Sequence, residues 1–108
     1  MATRHKIMHY KNGATFANGQ EALANLQSQY PADKKLAIEN WHTSMLNSGI
    51  LLKPVEVNWD QDNYTLTVVR EVSDYDAYIN SRPYSRDDSV ASGTASGWTN
   101  VGAFSEDI

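Results

Sequence analysis

Val55-Glu56-Val57-Asn58-Trp59-Asp60 and Tyr64-Thr65-Leu66-Thr67-Val68-Val69-Arg70-Glu71-Val72, joined through Gln61-Asp62-Asn63, decide the fold of this chain. In the first run Val55, Val57 and Trp59 alternate with Glu56, Asn58 and Asp60, the period-2 pattern of a half-buried strand. Pro54 limits where that strand begins, since it lacks an N–H for a ladder. Asp60 to Asn63 are turn formers. The second run is rich in β-branched and aromatic residues, which favour a pleated surface. Two such strands across a short turn make an antiparallel hairpin. On its second strand Tyr64, Leu66, Val68 and Val72 share one face. Thr65, Thr67, Val69 and Glu71 share the other, which is apolar enough to be half covered.

Downstream, Ser73 is placed to cap a helix whose Asp74 and Asp76 complement the positive end of the helix dipole. Tyr75, Tyr78 and Ile79 form its apolar contacts, and Pro83 closes it. Residues 85–97, mostly Ser, Asp, Ala, Gly and Thr, read as a flexible loop before a last short strand from Trp98 to Phe104. Upstream, His5-Lys6-Ile7-Met8-His9-Tyr10-Lys11 suits a strand with His5, Ile7 and His9 on one face. A helix follows, capped at Asn18 or Gly19 and broken at Tyr30-Pro31, because proline disfavours a helical residue before it. Its second piece carries the stripe Ile38, Trp41 and Met45, and Gly49 supplies a left-handed stop. The order β-α-β-β-α-β predicts an α+β domain of ferredoxin-like type, with an antiparallel sheet and its helices on one face.

One such domain fits 108 residues, so residues 1–108 are read as a single unit. The chain holds no cysteine, which excludes disulfide scaffolds, thiolate metal sites and thiol nucleophiles. A net charge of −4 argues against nucleic acid as a partner. The longest apolar runs are far short of the roughly 20 residues of a membrane span, and no secretory leader is evident, so the expected location is cytoplasmic and away from membranes. Residues 1–54 carry six basic and three acidic side chains; residues 55–108 carry Arg70, Arg82 and Arg86 against ten acids. Those acids are interspersed with Tyr, Val and Trp, as on a solvated face.

The run Val55 to Asp60, the strand Tyr64 to Val72 and the helix start Ser73-Asp74-Tyr75-Asp76-Ala77-Tyr78 resemble the dimeric α/β-barrel superfamily, which includes antibiotic-biosynthesis-monooxygenase-like proteins. That resemblance implies a small-molecule pocket between sheet and helices, and covers element order over residues 5–82. Some members oxidise aromatic substrates without metal or flavin, and others degrade haem. The residues themselves call for a second copy as well: packing two sheets face to face covers an apolar outer face that a small monomer leaves bare.

The chemistry-bearing candidates are few. His5 and His9 stand roughly 13 Å apart by strand rise, too far to share one metal ion, and His42 lies beside Trp41. Asp60-x-Asp62 lacks the glycine and acidic positions of a calcium loop and reads as a turn. No G-x-S-x-G elbow and no glycine-rich phosphate loop occurs. What remains is aromatic. The expected function is binding of an apolar small molecule, fatty-acid-like or aromatic, by a homodimer, with Ile7, His9, Ile38, Trp41, His42, Met45, Trp59 and Tyr64 lining the site and neither metal nor cofactor. A cofactor-independent monooxygenase and a structural, partner-docking protein are the alternatives.

Overall fold

A computed structural model describes residues 2–108. Strand β1 (Thr3–Tyr10) lies inside a four-stranded antiparallel sheet ordered β2-β3-β1-β4, with β2 at Glu56–Asp60, β3 at Thr65–Val72 and β4 at Thr99–Asp107. The hairpin forms as its alternation requires: Val57 pairs with Val68 and Trp59 with Leu66. Its turn is pinned by the Asp60 carboxylate, which accepts hydrogen bonds from the Asn63 side-chain amide (2.8 Å) and from the backbone N–H of Asp62 (3.1 Å). Tyr64 closes it with φ 51°, a left-handed conformation costly for a residue with a Cβ.

Helices α1 (Gly19–Leu26) and α2 (Ala32–Asn47) connect β1 to β2, and the break falls at Tyr30-Pro31. At the start of α1 the Asn18 side chain accepts from the Glu21 N–H (2.9 Å), while Glu21 accepts from the Ala17 N–H (3.1 Å). Between β3 and β4 the chain again makes two helices, α3 (Tyr75–Asn80) and α4 (Arg86–Ala95). Asp74, not Ser73, caps α3, accepting from the Ala77 N–H; Ser73 instead donates to the Gly49 carbonyl.

Two expectations are corrected here. Residues 85–97 hold helix α4 rather than a loop. Ser85 caps it, Asp87 and Asp88 occupy its first turn, and Gly93 is buried against Leu26. This helix docks through small residues, so its sequence carries almost no apolar stripe. The last strand also runs on to Asp107, and Phe104 is 54% exposed on the outer sheet face instead of anchoring the core. Its pairing to β1 shifts by one residue between Met8 and His9, a bulge that leaves Val101 exposed. Gly102 there adopts φ 155°, a conformation open to glycine alone.

The inner face of the sheet meets the helices in two separate apolar clusters. Ala22, Leu26, Leu66, Val68 and Trp98 form one; Met45, Leu51, Val72 and Tyr78 form the other. Along β3 the inward row reads Leu66, Val68, Arg70, Val72, so a guanidinium stands between the two cores.

Gly19 starts α1 directly against the backbone of β2, where any Cβ would overlap the Val57 carbonyl. Gly19→Ala is expected to destabilise the fold by about 1–3 kcal/mol, as overpacking does. Chemical denaturation measures it, and an unchanged midpoint would show that α1 does not dock this closely.

Candidate functional site

Between the two cores lies a cavity of about 170 Å³, floored by His5, Ile7 and His9 of β1 and by Arg70 of β3. Helices α2, α3 and α4 roof it with Trp41, Tyr75, Ile79 and Val90, and Trp98, Asn100 and Ala103 wall it from β4 and the residue before it. A second hollow of about 260 Å³ lies alongside, between α1, α2 and the β2–β3 hairpin. Tyr30, Trp41, Arg70, Arg82 and Ser89 face both, so the two are lobes of one cleft.

The structure gathers part of the expected set. Ile7 and His9 face the first lobe, Ile38 and His42 the second, and Trp41 both. Three residues lie elsewhere. Met45 is buried in the core with Leu51, Val72 and Tyr78. Trp59, on the edge strand, meets Phe16 (ring centroids 4.9 Å) and Trp98 (5.8 Å), and its indole donates to Gln61. Tyr64, thrown out of strand alternation by its positive φ, lies edge-on to Tyr10 at 6.4 Å.

Arg70, Arg82 and Arg86 line the first lobe but had no place among the expected residues. The signal for Arg70 is a charge in phase with Leu66, Val68 and Val72. Its guanidinium lies 5.7 Å over the Tyr78 ring, a cation–π contact, yet its buried Nε has no hydrogen-bond partner. The indole N–H of Trp41 is likewise buried without a partner. Unpaired buried polar groups are few in folded proteins, and here Trp41 and Arg70 border both lobes of one cleft.

The electrostatics follow from burial around that cation. His5, 6% exposed, shares a 2.7 Å hydrogen bond with the Ser105 hydroxyl through Nδ1 and meets the Tyr75 ring at 4.9 Å. Burial, then the charges of Arg70 and Arg86, push His5 down to about 4. Burial and Arg70 push His9 and His42 down to about 4 as well. His42 Nε2 lies 2.9 Å from the hydroxyl of Tyr78, itself pushed up to about 12 by burial. Burial also drives the Tyr84 hydroxyl upward. At neutral pH the cleft therefore holds neutral imidazoles and cationic arginines, and no carboxylate borders its first lobe. Among the described residues no three His, Asp or Glu side chains converge as a metal site, and no helix is long and apolar enough to cross a membrane.

No family model, curated protein or solved structure matches this chain. What the cleft does must be read from its own geometry.

The histidines also make folding sensitive to acid. Their folded-state values lie below the ordinary 6.5, so between pH 6.5 and about 4 the folded protein holds fewer protons than the unfolded chain. Their contribution to stability is full above the unfolded value and declines as pH falls through this window. Each unit of depression corresponds to about 1.4 kcal/mol; with the half-buried His9 and His42 discounted, a loss of about 2–4 kcal/mol between about pH 7 and about pH 5 is expected. Denaturant melts at the two pH values measure it, and equal stability would place the rings in water.

Proposed function

We propose that this protein binds an apolar, aromatic small molecule in the cleft between its helices and sheet. The observation that carries this reading is a partly enclosed cavity walled by Trp41, Tyr75, Trp98 and Ile79, two of whose lining residues, Trp41 and Arg70, each hold a buried nitrogen without a partner. Dry apolar cavities near 150 Å³ admit a benzene-sized guest, so the first lobe suits one ring and the adjoining lobe a second ring or a short chain. Aromatic walls favour a flat guest, which they hold by offset or edge contacts. The strand order, with paired helices crossing one face, supports a ferredoxin-like reading and the dimeric α/β-barrel resemblance noted in the sequence.

On that reading a second copy covers the outer face. The half-exposed ring of Phe104 borders a hollow lined also by Met8 and Lys6, while Tyr10 and Val101 stand exposed at the β4 end. Burying such a surface removes apolar area from water at about 25 cal/mol per Å². Light scattering at micromolar concentration is expected to give twice the single-chain 12.1 kDa, and Phe104→Glu to give the single-chain mass. A wild-type mass of one chain would overturn the dimer.

Nile red, a neutral apolar dye, tests the cleft without involving charge. Saturable fluorescence enhancement is expected for the wild type, lost in Trp41→Ala and weakened several-fold in His42→Ala, which frees the Tyr78 hydroxyl it pairs with. Circular dichroism separates loss of the site from loss of fold. Wild-type protein that gives no saturable signal has no working cavity.

A further inference from the structure

The chain carries four arginines, Arg4, Arg70, Arg82 and Arg86, and a net charge of −4. Three of the four border one small cavity whose lining includes no acid. The lining of the second lobe holds one acid, Glu39, and one lysine, Lys35, so it brings no net negative charge to offset the arginines there either. Ion pairing is not what brings them there. Among the described residues every ion pair involves Arg4, Lys6 or Lys53, away from this cleft, and none involves Arg70, Arg82 or Arg86. Arg70 comes from the middle of a strand and reaches the cavity between two apolar cores, with its Nε buried and unpartnered. Arg82 and Arg86 are exposed and flank the mouth from the α3–α4 connection and the start of α4.

We infer that the ligand is an aromatic carboxylate, its ring held against the apolar walls and its anion paired with Arg70. This rests on the cleft being a binding site, and names the chemistry of its occupant. A guanidinium presents a planar fork that matches a carboxylate, and the match strengthens where water is thin. The Arg70 side chain lines the cavity and joins no ion pair, so its charge is left for such a guest. The exposed Arg82 and Arg86 raise the local concentration of anions at the mouth and oppose their escape. The neutral histidines add donors without adding a competing cation, and no carboxylate of the first lobe repels the guest.

The probe is a matched pair, naphthoate and naphthamide, which share shape and ring but differ in charge. Titrations followed by tryptophan fluorescence and calorimetry are expected to show naphthoate binding at least about 10-fold tighter than the amide, as a charge-assisted hydrogen-bond pair allows. Arg70→Gln should bring the ratio close to one, and Arg70→Lys should restore part of it. Should Arg70→Gln fail to fold, the exposed pair Arg82→Gln/Arg86→Gln and the salt dependence of the wild-type ratio carry the test: both should reduce the preference. Equal affinity for acid and amide in the wild type, or an acid preference untouched by these variants, overturns the inference. If Nile red binds and naphthoate does not, the inference falls while the cavity stands; if neither binds, the cavity itself falls.

Discussion

A guanidinium occupies a place where the period of its strand calls for a valine or a leucine, and the interior is arranged around that fact. Arg70 interrupts the row Leu66, Val68, Val72, so the helices cannot close over one continuous apolar face. They make two smaller cores on either side, and the space over the charge stays open. Burying an arginine in a sealed core would carry a desolvation cost of several kcal/mol. An open cleft lets part of the group keep water while Tyr78 offers its ring face to the rest. His5, His9 and His42 are held neutral first by their burial, and the same neighbour adds to it, because a second cation beside the first is disfavoured.

The sheet also sorts its charges between faces. Outside, Arg4 donates to Glu71 and Glu106, and Lys53 reaches Glu56 and Glu71, a network spanning strands and the chain before β2. The Arg4 guanidinium holds the Glu71 carboxyl below the usual range, with Lys53 adding to the effect. Such solvated pairs contribute little to stability individually. Inside, Arg70 joins no ion pair among the described residues.

Much of the fold was legible in the residues because local rules and tertiary packing agree there. The alternation of Val55, Val57 and Trp59, the turn at Asp60 to Asn63 and the break at Tyr30-Pro31 each act within a few residues, and each appears where expected. Helix α4 was not legible: it is held by a Ser85 cap and by the closeness that Gly93 permits, neither of which leaves a periodic apolar mark. The site was legible only in part. Ile7, His9, Trp41 and His42 follow from strand and helix faces. Met45 shares the stripe of Trp41 but lies one turn further on, over Leu51 and Val72. Tyr64 left its face because one left-handed residue undoes alternation. The arginines escaped notice because convergence from β3, α4 and the connection between α3 and α4 is a tertiary fact that no spacing encodes.

The bulge in β4 sets which residues of that strand reach the cleft. Ala103 and Ser105 turn inward opposite Ile7 and His5, whereas after the extra residue it is Asn100, with Trp98 beyond it, that faces the helices. Were the same residues paired without the bulge, the parity of the strand before Gly102 would invert, sending the indole of Trp98 to the opposite side and Val101 inward. The strand lies at the edge of the sheet, where only β1 constrains its register. Loss of Val101 would therefore leave a regular ladder in which Ala103, Asn100 and Trp98 keep the faces they have, so at this one place the strand can change length without changing the cavity wall.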